Sequence, residues 1–173
     1  WNLPTPTSHT TWGHMLDTLS VSPIPNSDLL TFPSDFDKNL VKYSASQNVK
    51  VFKNFNLSSL SDANLNFGIF LNSEASQDGV VLAAKQSGGD PFSSGTTLDV
   101  FSGNVDTGNF VNTYSLKSCL SSTCTLGFRF ASDSDATVGT GAAIHHLWVT
   151  TLTASNDKYR VMSGTSMATP YVA

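Results

Sequence analysis

The sequence predicts an all-β chain, an antiparallel sandwich or barrel of about eight short strands. Three observations point there. Between residues 40 and 151, β-prone runs alternate with clusters of Gly, Asn, Asp and Ser. Several of these runs repeat with period two, so their apolar side chains share one face. No stretch carries an apolar stripe at helical spacing.

The elements follow in order. Trp1 to Pro33 has no sustained periodicity and holds Pro4, Pro6, Pro23, Pro25 and Pro33. Proline removes a ladder donor and fixes φ, so this lead reads as extended linker or edge structure. Strands are expected at Leu40–Tyr43, Val49–Phe55, Ala63–Leu71, Val80–Lys85, Thr96–Phe101, Asn112–Leu116, Thr125–Ala131 and Ala142–Thr151. Leu65, Phe67, Ile69 and Leu71 fall on one face, as do Leu126, Phe128 and Phe130. In the last strand, strict alternation sets Ile144, His146, Trp148 and Thr150 against His145, Leu147 and Val149. Turns are expected at Asn72–Gly79, Gln86–Gly95, Gly103–Gly108 and Ser132–Gly141. Ser155–Lys158 then forms a polar link to a different kind of tail.

Composition bounds the function. The 173 residues and 18.5 kDa suffice for one good core. Nine Lys+Arg against 13 Asp+Glu give a net charge of −4. That argues against a nucleic-acid partner, which needs a basic face, and gives no polybasic signal for a membrane surface. No apolar run reaches the roughly 18 residues of a membrane span. Charged residues are only 13%, and polarity comes instead from 25 Ser and 19 Thr. Cys119 and Cys124 lack both the CxxC redox spacing and the four ligands of a structural zinc site. A local disulfide closing a turn between strands fits them best, with two unpaired thiols as the alternative, and a bridge points to an oxidising, extracytoplasmic setting.

One motif carries chemistry. Gly164-Thr165-Ser166-Met167-Ala168-Thr169-Pro170-Tyr171-Val172-Ala173 resembles the serine signature of the subtilisin-like proteases, matching nine of its ten positions. The departure is Tyr171, where the family usually carries histidine outside the catalytic triad. The resemblance implies that Ser166 is the nucleophile of peptide-bond hydrolysis. In a whole enzyme of the family Ser166 would start a helix whose free N–H groups favour developing negative charge. In this chain Gly164–Ala173 is expected to be extended or irregular, with Ser166 out of catalytic geometry. A triad needs in addition a base and an orienting carboxylate. In the family these precede the serine, within Asp-Thr/Ser-Gly and His-Gly-Thr/Ser. Asp106-Thr107-Gly108 matches by letters but has no preceding apolar strand, and reads as a turn. His145 and His146 read as strand positions, and His9 and His14 lie in the proline-rich lead. Asn104 resembles an oxyanion asparagine by letters alone and reads as a turn residue.

The chain is therefore expected to be a piece of a larger enzyme, inactive alone. Some bacterial subtilases carry a jelly-roll domain inserted before the serine. Phe55–Leu60, Asn64–Phe67, Phe128–Phe130, Ser132–Ser134 and Gly141–Ile144 resemble segments of such domains. The resemblance implies a lead at 1–27, a jelly-roll sandwich at 28–154 and a catalytic-domain segment at 155–173. It implies as partners the rest of the catalytic domain and a protein or peptide substrate, outside the cytoplasm. Where many such domains have aspartates that help hold Ca²⁺, His145 and His146 stand here. Asp133 and Asp135 remain as Ca²⁺ candidates or as simple turn aspartates. Adjacent strand residues point to opposite faces, so His145 and His146 are not expected to share a transition metal. The alternative function is a glycan- or protein-binding module, for which Phe92, Phe101, Phe110, Tyr114 and Trp148 are the candidate platform.

Overall fold

In the computed structural model, the described residues are 13–16, 28–33, 42–108 and 111–153, with side chains described at 30–33, 42–108 and 111–151. Among the described residues ten strands run in the order β1 (Gly13–Leu16), β2 (Asp28–Phe32), β3 (Asn48–Phe55), β4 (Leu60–Asn72), β5 (Gly79–Lys85), β6 (Thr96–Ser102), β7 (Asn104–Asp106), β8 (Asn112–Ser115), β9 (Cys124–Ala131) and β10 (Gly141–Thr153). One helical turn, α1 (Pro91–Ser94), precedes β6.

The strands form two sheets, and every pairing between them is antiparallel. The six-stranded sheet runs β1-β2-β10-β4-β7, with β8 also on β4. The four-stranded sheet runs β3-β9-β5-β6. From β2 onward the chain crosses between sheets at nearly every connection, and only β5–β6 and β7–β8 stay within one. Interleaving β2-β10-β4-β7 with β3-β9-β5-β6 gives the two nested Greek keys of a jelly roll. The expected sandwich is thus present.

The period-two runs explain the core. Leu65, Phe67, Ile69 and Leu71 of β4 meet Leu126, Phe128 and Phe130 of β9, all at most 1% exposed. Phe67 sits edge-on to Phe128 at 5.2 Å and stacks on Tyr114 at 5.6 Å. Phe32 of β2 stacks on Phe130 at 4.4 Å. Burying one such ring contributes on the order of 1.5–3 kcal/mol. Cys119 and Cys124 are bridged between β8 and β9, with Cα atoms 5.4 Å apart.

Four local features differ from the sequence expectation. The lead supplies the expected edge structure as a paired edge strand, β1, but its β2 is a core strand despite the neighbouring prolines. β7 lies within the expected turn Gly103–Gly108, and α1 within Gln86–Gly95. Asp90 caps α1 by accepting from the Phe92 amide at 2.8 Å, and Pro91 occupies its first turn. The strand expected at Leu40–Tyr43 is not one at Lys42 and Tyr43, its described residues. Tyr43 is buried as a loop residue, edge-on to Phe130 at 4.7 Å.

The fourth feature is a bulge. In β10 the register against β4 slips between His145 and Trp148. His146 has φ of +48°, a left-handed conformation in which histidine is enriched. The bulge resets the alternation. Ile144 and then Leu147 and Val149 face the core, while Trp148 turns outward at 43% exposed.

Candidate functional site

The serine motif, with Ser166, lies outside the described residues, as do His9 and Phe110. The letter matches to other triad parts resolve as structural residues. Asp106 accepts from the Gly108 amide at 2.8 Å in a turn, and Thr107 bonds the backbone of Ile69. Asn104 accepts from the Asn72 side chain at 2.6 Å within the sheet. His14 belongs to β1.

His145 and His146 differ from expectation. The bulge brings them to one side, with their Nδ1 atoms 3.3 Å apart. His145 is fully buried on the face of the six-stranded sheet opposite the core. Its ring fills the space above Gly68, where a Cβ would lie 2.1 Å from the imidazole. Gly68 is needed for that close approach rather than for a turn.

The described aromatic candidates do not form a platform. Phe101 is 9% exposed and lies in the core, and Tyr114 stacks on Phe67. Lys50 and Arg129 lie over the Phe92 ring at 5.9 and 5.5 Å. Among the described candidates only Trp148 is well exposed.

The strongest polar constellation gathers at one end of the sandwich, where the β4–β5 and β9–β10 loops meet. Glu74, Asp133 and Asp135 each offer a carboxylate oxygen, all within 4.8 Å of one another. Asp133 and Asp135 shape their own loop: Asp133 accepts from the Asp135 amide at 3.0 Å, and Asp135 from the Thr137 amide at 2.6 Å. So they are turn aspartates whose carboxylates also converge on Glu74, a residue that spacing alone does not reveal. Burial, then the charges of Asp135, Asp133 and Asp78, hold the Glu74 carboxyl above its ordinary range. Its Oε2 is shielded and has no hydrogen-bond partner.

Beneath this cluster lies a buried network. Tyr43 donates to Asp78 Oδ2 at 2.5 Å, and the Asp133 amide donates to Asp78 Oδ1 at 2.9 Å. The Glu74 amide reaches the Tyr43 hydroxyl at 3.4 Å. One buried carboxylate thus fixes both acidic loops. Burial first, and the bond to Asp78 second, push the Tyr43 hydroxyl up to about 12. The oxygen donor set suits a hard cation such as Ca²⁺, whose remaining ligands would come from carbonyls or water.

No family model and no curated protein matches this chain. Among the described residues, no helix is long and apolar enough to cross a membrane.

Proposed function

We propose that this chain is the accessory jelly-roll insertion of a secreted subtilisin-like serine endopeptidase and carries its catalytic-serine motif. The observation that carries this reading is the nine-position match at Gly164–Ala173. Ser166 is the nucleophile, and the base and orienting carboxylate come from the rest of the catalytic domain. The substrate is a protein or peptide. On this reading the chain alone does not assemble a triad.

The topology supports an insertion. β2 and β10 are antiparallel neighbours, with Leu29 opposite His145. The sandwich proper is therefore entered at Asp28 and left at Thr153 toward the same end of the sheet. Such geometry lets a host domain accept an insert without separating its own strands. The disulfide supports an extracytoplasmic setting. The sugar-platform alternative loses support, since Phe101 is buried, Phe92 lies under two cations and Trp148 alone of the described candidates is well exposed.

The test is the reading frame upstream of Trp1. This proposal expects an Asp-Thr/Ser-Gly segment followed by His-Gly-Thr/Ser. A continuous upstream frame lacking both would overturn it.

A further inference from the structure

The outer face of the four-stranded sheet carries a cross-strand row. Lys50 of β3 pairs with Arg129 of β9, Arg129 with Val81 of β5, and Val81 with Val100 of β6. Half of the row is cationic and half aliphatic.

The cationic half is short of a counter-ion. Like charges directly opposite on neighbouring strands repel. Asp90 neutralises Lys50 at 2.7 Å, and its other carboxylate oxygen is taken by the Phe92 amide. Asp78 is no help, since Tyr43 and the Asp133 amide occupy its two oxygens. Among the described residues Arg129 has only the Phe92 ring, and its Nε is buried without a hydrogen-bond partner. A guanidinium presents five donors in a planar fork that matches a carboxylate.

The surroundings are shaped for a ligand. Gly127 lets α1 lie close on the sheet, since a Cβ there would meet Pro91 and Phe52 at 2.9 Å. On the other side, Ala131, Gly79 and Ser102 leave a depression of about 220 Å³ bordered by Arg129, Val81 and Val100. Val100 is 60% exposed at its edge.

We propose that Arg129 and the Val81–Val100 pair form a docking site for an extended peptide bearing an acidic side chain followed, two residues on, by an aliphatic one. The carboxylate takes the Arg129 fork and the aliphatic group covers the valines. In an extended chain, residues i and i+2 lie about 6.6 Å apart on one face. Strand spacing puts Val81 about 4.8 Å and Val100 about 9.6 Å from Arg129, so that step falls between them. A partner protein with such a segment fits the charge and the shape. The site does not depend on Ser166 or on the protease reading.

The test is NMR titration of the purified 173-residue chain with acetyl-Gly-Glu-Ser-Val-Gly-amide, whose only carboxylate is the Glu. The expected result is binding with a dissociation constant below about 1 mM. Shifts should centre on Arg129 Nε–H and the Val100 methyls. The Gln peptide, and Arg129→Gln with the native peptide, should bind about tenfold more weakly or worse. Val100→Asn, an exposed change that spares the core, should weaken binding several-fold and serves if Arg129→Gln does not fold. No shift at Arg129 up to about 10 mM peptide would overturn the site. Equal binding of the Gln peptide would do the same. Tighter binding of oligogalacturonate at Arg129 would overturn the peptide assignment in favour of an acidic glycan.

Discussion

Tyr43 and Asp78 lie 35 residues apart, and the phenol donates to the carboxylate at 2.5 Å with both side chains 2% exposed. This contact ties the segment before β3 to the loop after β4, and through Asp133 to the loop after β9. Tyr43→Phe keeps the ring packing on Phe130 and removes only the donor. It should cost about 1–3 kcal/mol in chemical unfolding, the range for stranding a buried acceptor. A change within 0.3 kcal/mol would mean that water replaces the bond at no cost.

The same pair sets an alkaline limit. The Tyr43 hydroxyl is raised to about 12 in the folded chain, against an ordinary value of 10. Between these values the unfolded chain has lost the proton and the folded chain keeps it. Stability is therefore full below pH 10 and falls as pH rises toward 12. Tyr114 is raised in the same direction, by burial and by its bond to Asp99. Tyr43→Phe should flatten the fall, and the remaining slope should belong partly to Tyr114. A slope unchanged in Tyr43→Phe would contradict the assignment.

The convergence of Glu74, Asp133 and Asp135 predicts a repulsive cluster in metal-free buffer. Glu74→Gln should then raise the melting temperature slightly, with the gain shrinking as salt screens the charges. A fall on Glu74→Gln that persists with EDTA would show that the carboxylate is stabilising as it stands.

Gly68 and His145 predict a steric coupling. Gly68→Ala puts a Cβ against the imidazole, so the ring or the strand must move. The expected cost is about 1–3 kcal/mol. His145→Ala should recover part of it in a double-mutant cycle, since the two side chains share one space. Additive losses would show that the strain lies in the backbone instead.

The sequence made the central strands legible because β4 and β9 carry period-two apolar runs, at Leu65–Leu71 and Leu126–Phe130. Phe67 and Phe128 could be placed in the core from period two alone. β2 was hidden because Leu29–Leu30 sits among prolines, and pairing with β10 supplies what local propensity does not. Tyr43 resembled a strand residue because buried loop aromatics and strand aromatics look alike without their partners. The His145–His146 contact was illegible for a different reason. Alternation forbids it, and only the bulge at His146 permits it. Glu74 joins Asp133 through loop geometry, across 59 residues that carry no shared motif.

The proposed function predicts that the purified 173-residue chain does not cleave casein. A serine hydroxyl is a poor nucleophile at neutral pH without a base. Cleavage by the wild-type chain that disappears in Ser166→Ala would refute this.

The most direct test of the central claim is fluorophosphonate labelling of the full-length protein, with the modified residue located by tandem mass spectrometry. The account predicts label on Ser166, in the peptide that begins at Val161. It also predicts loss of both label and peptidase activity in Ser166→Ala. Label on a different serine, or full peptidase activity in Ser166→Ala, would contradict it.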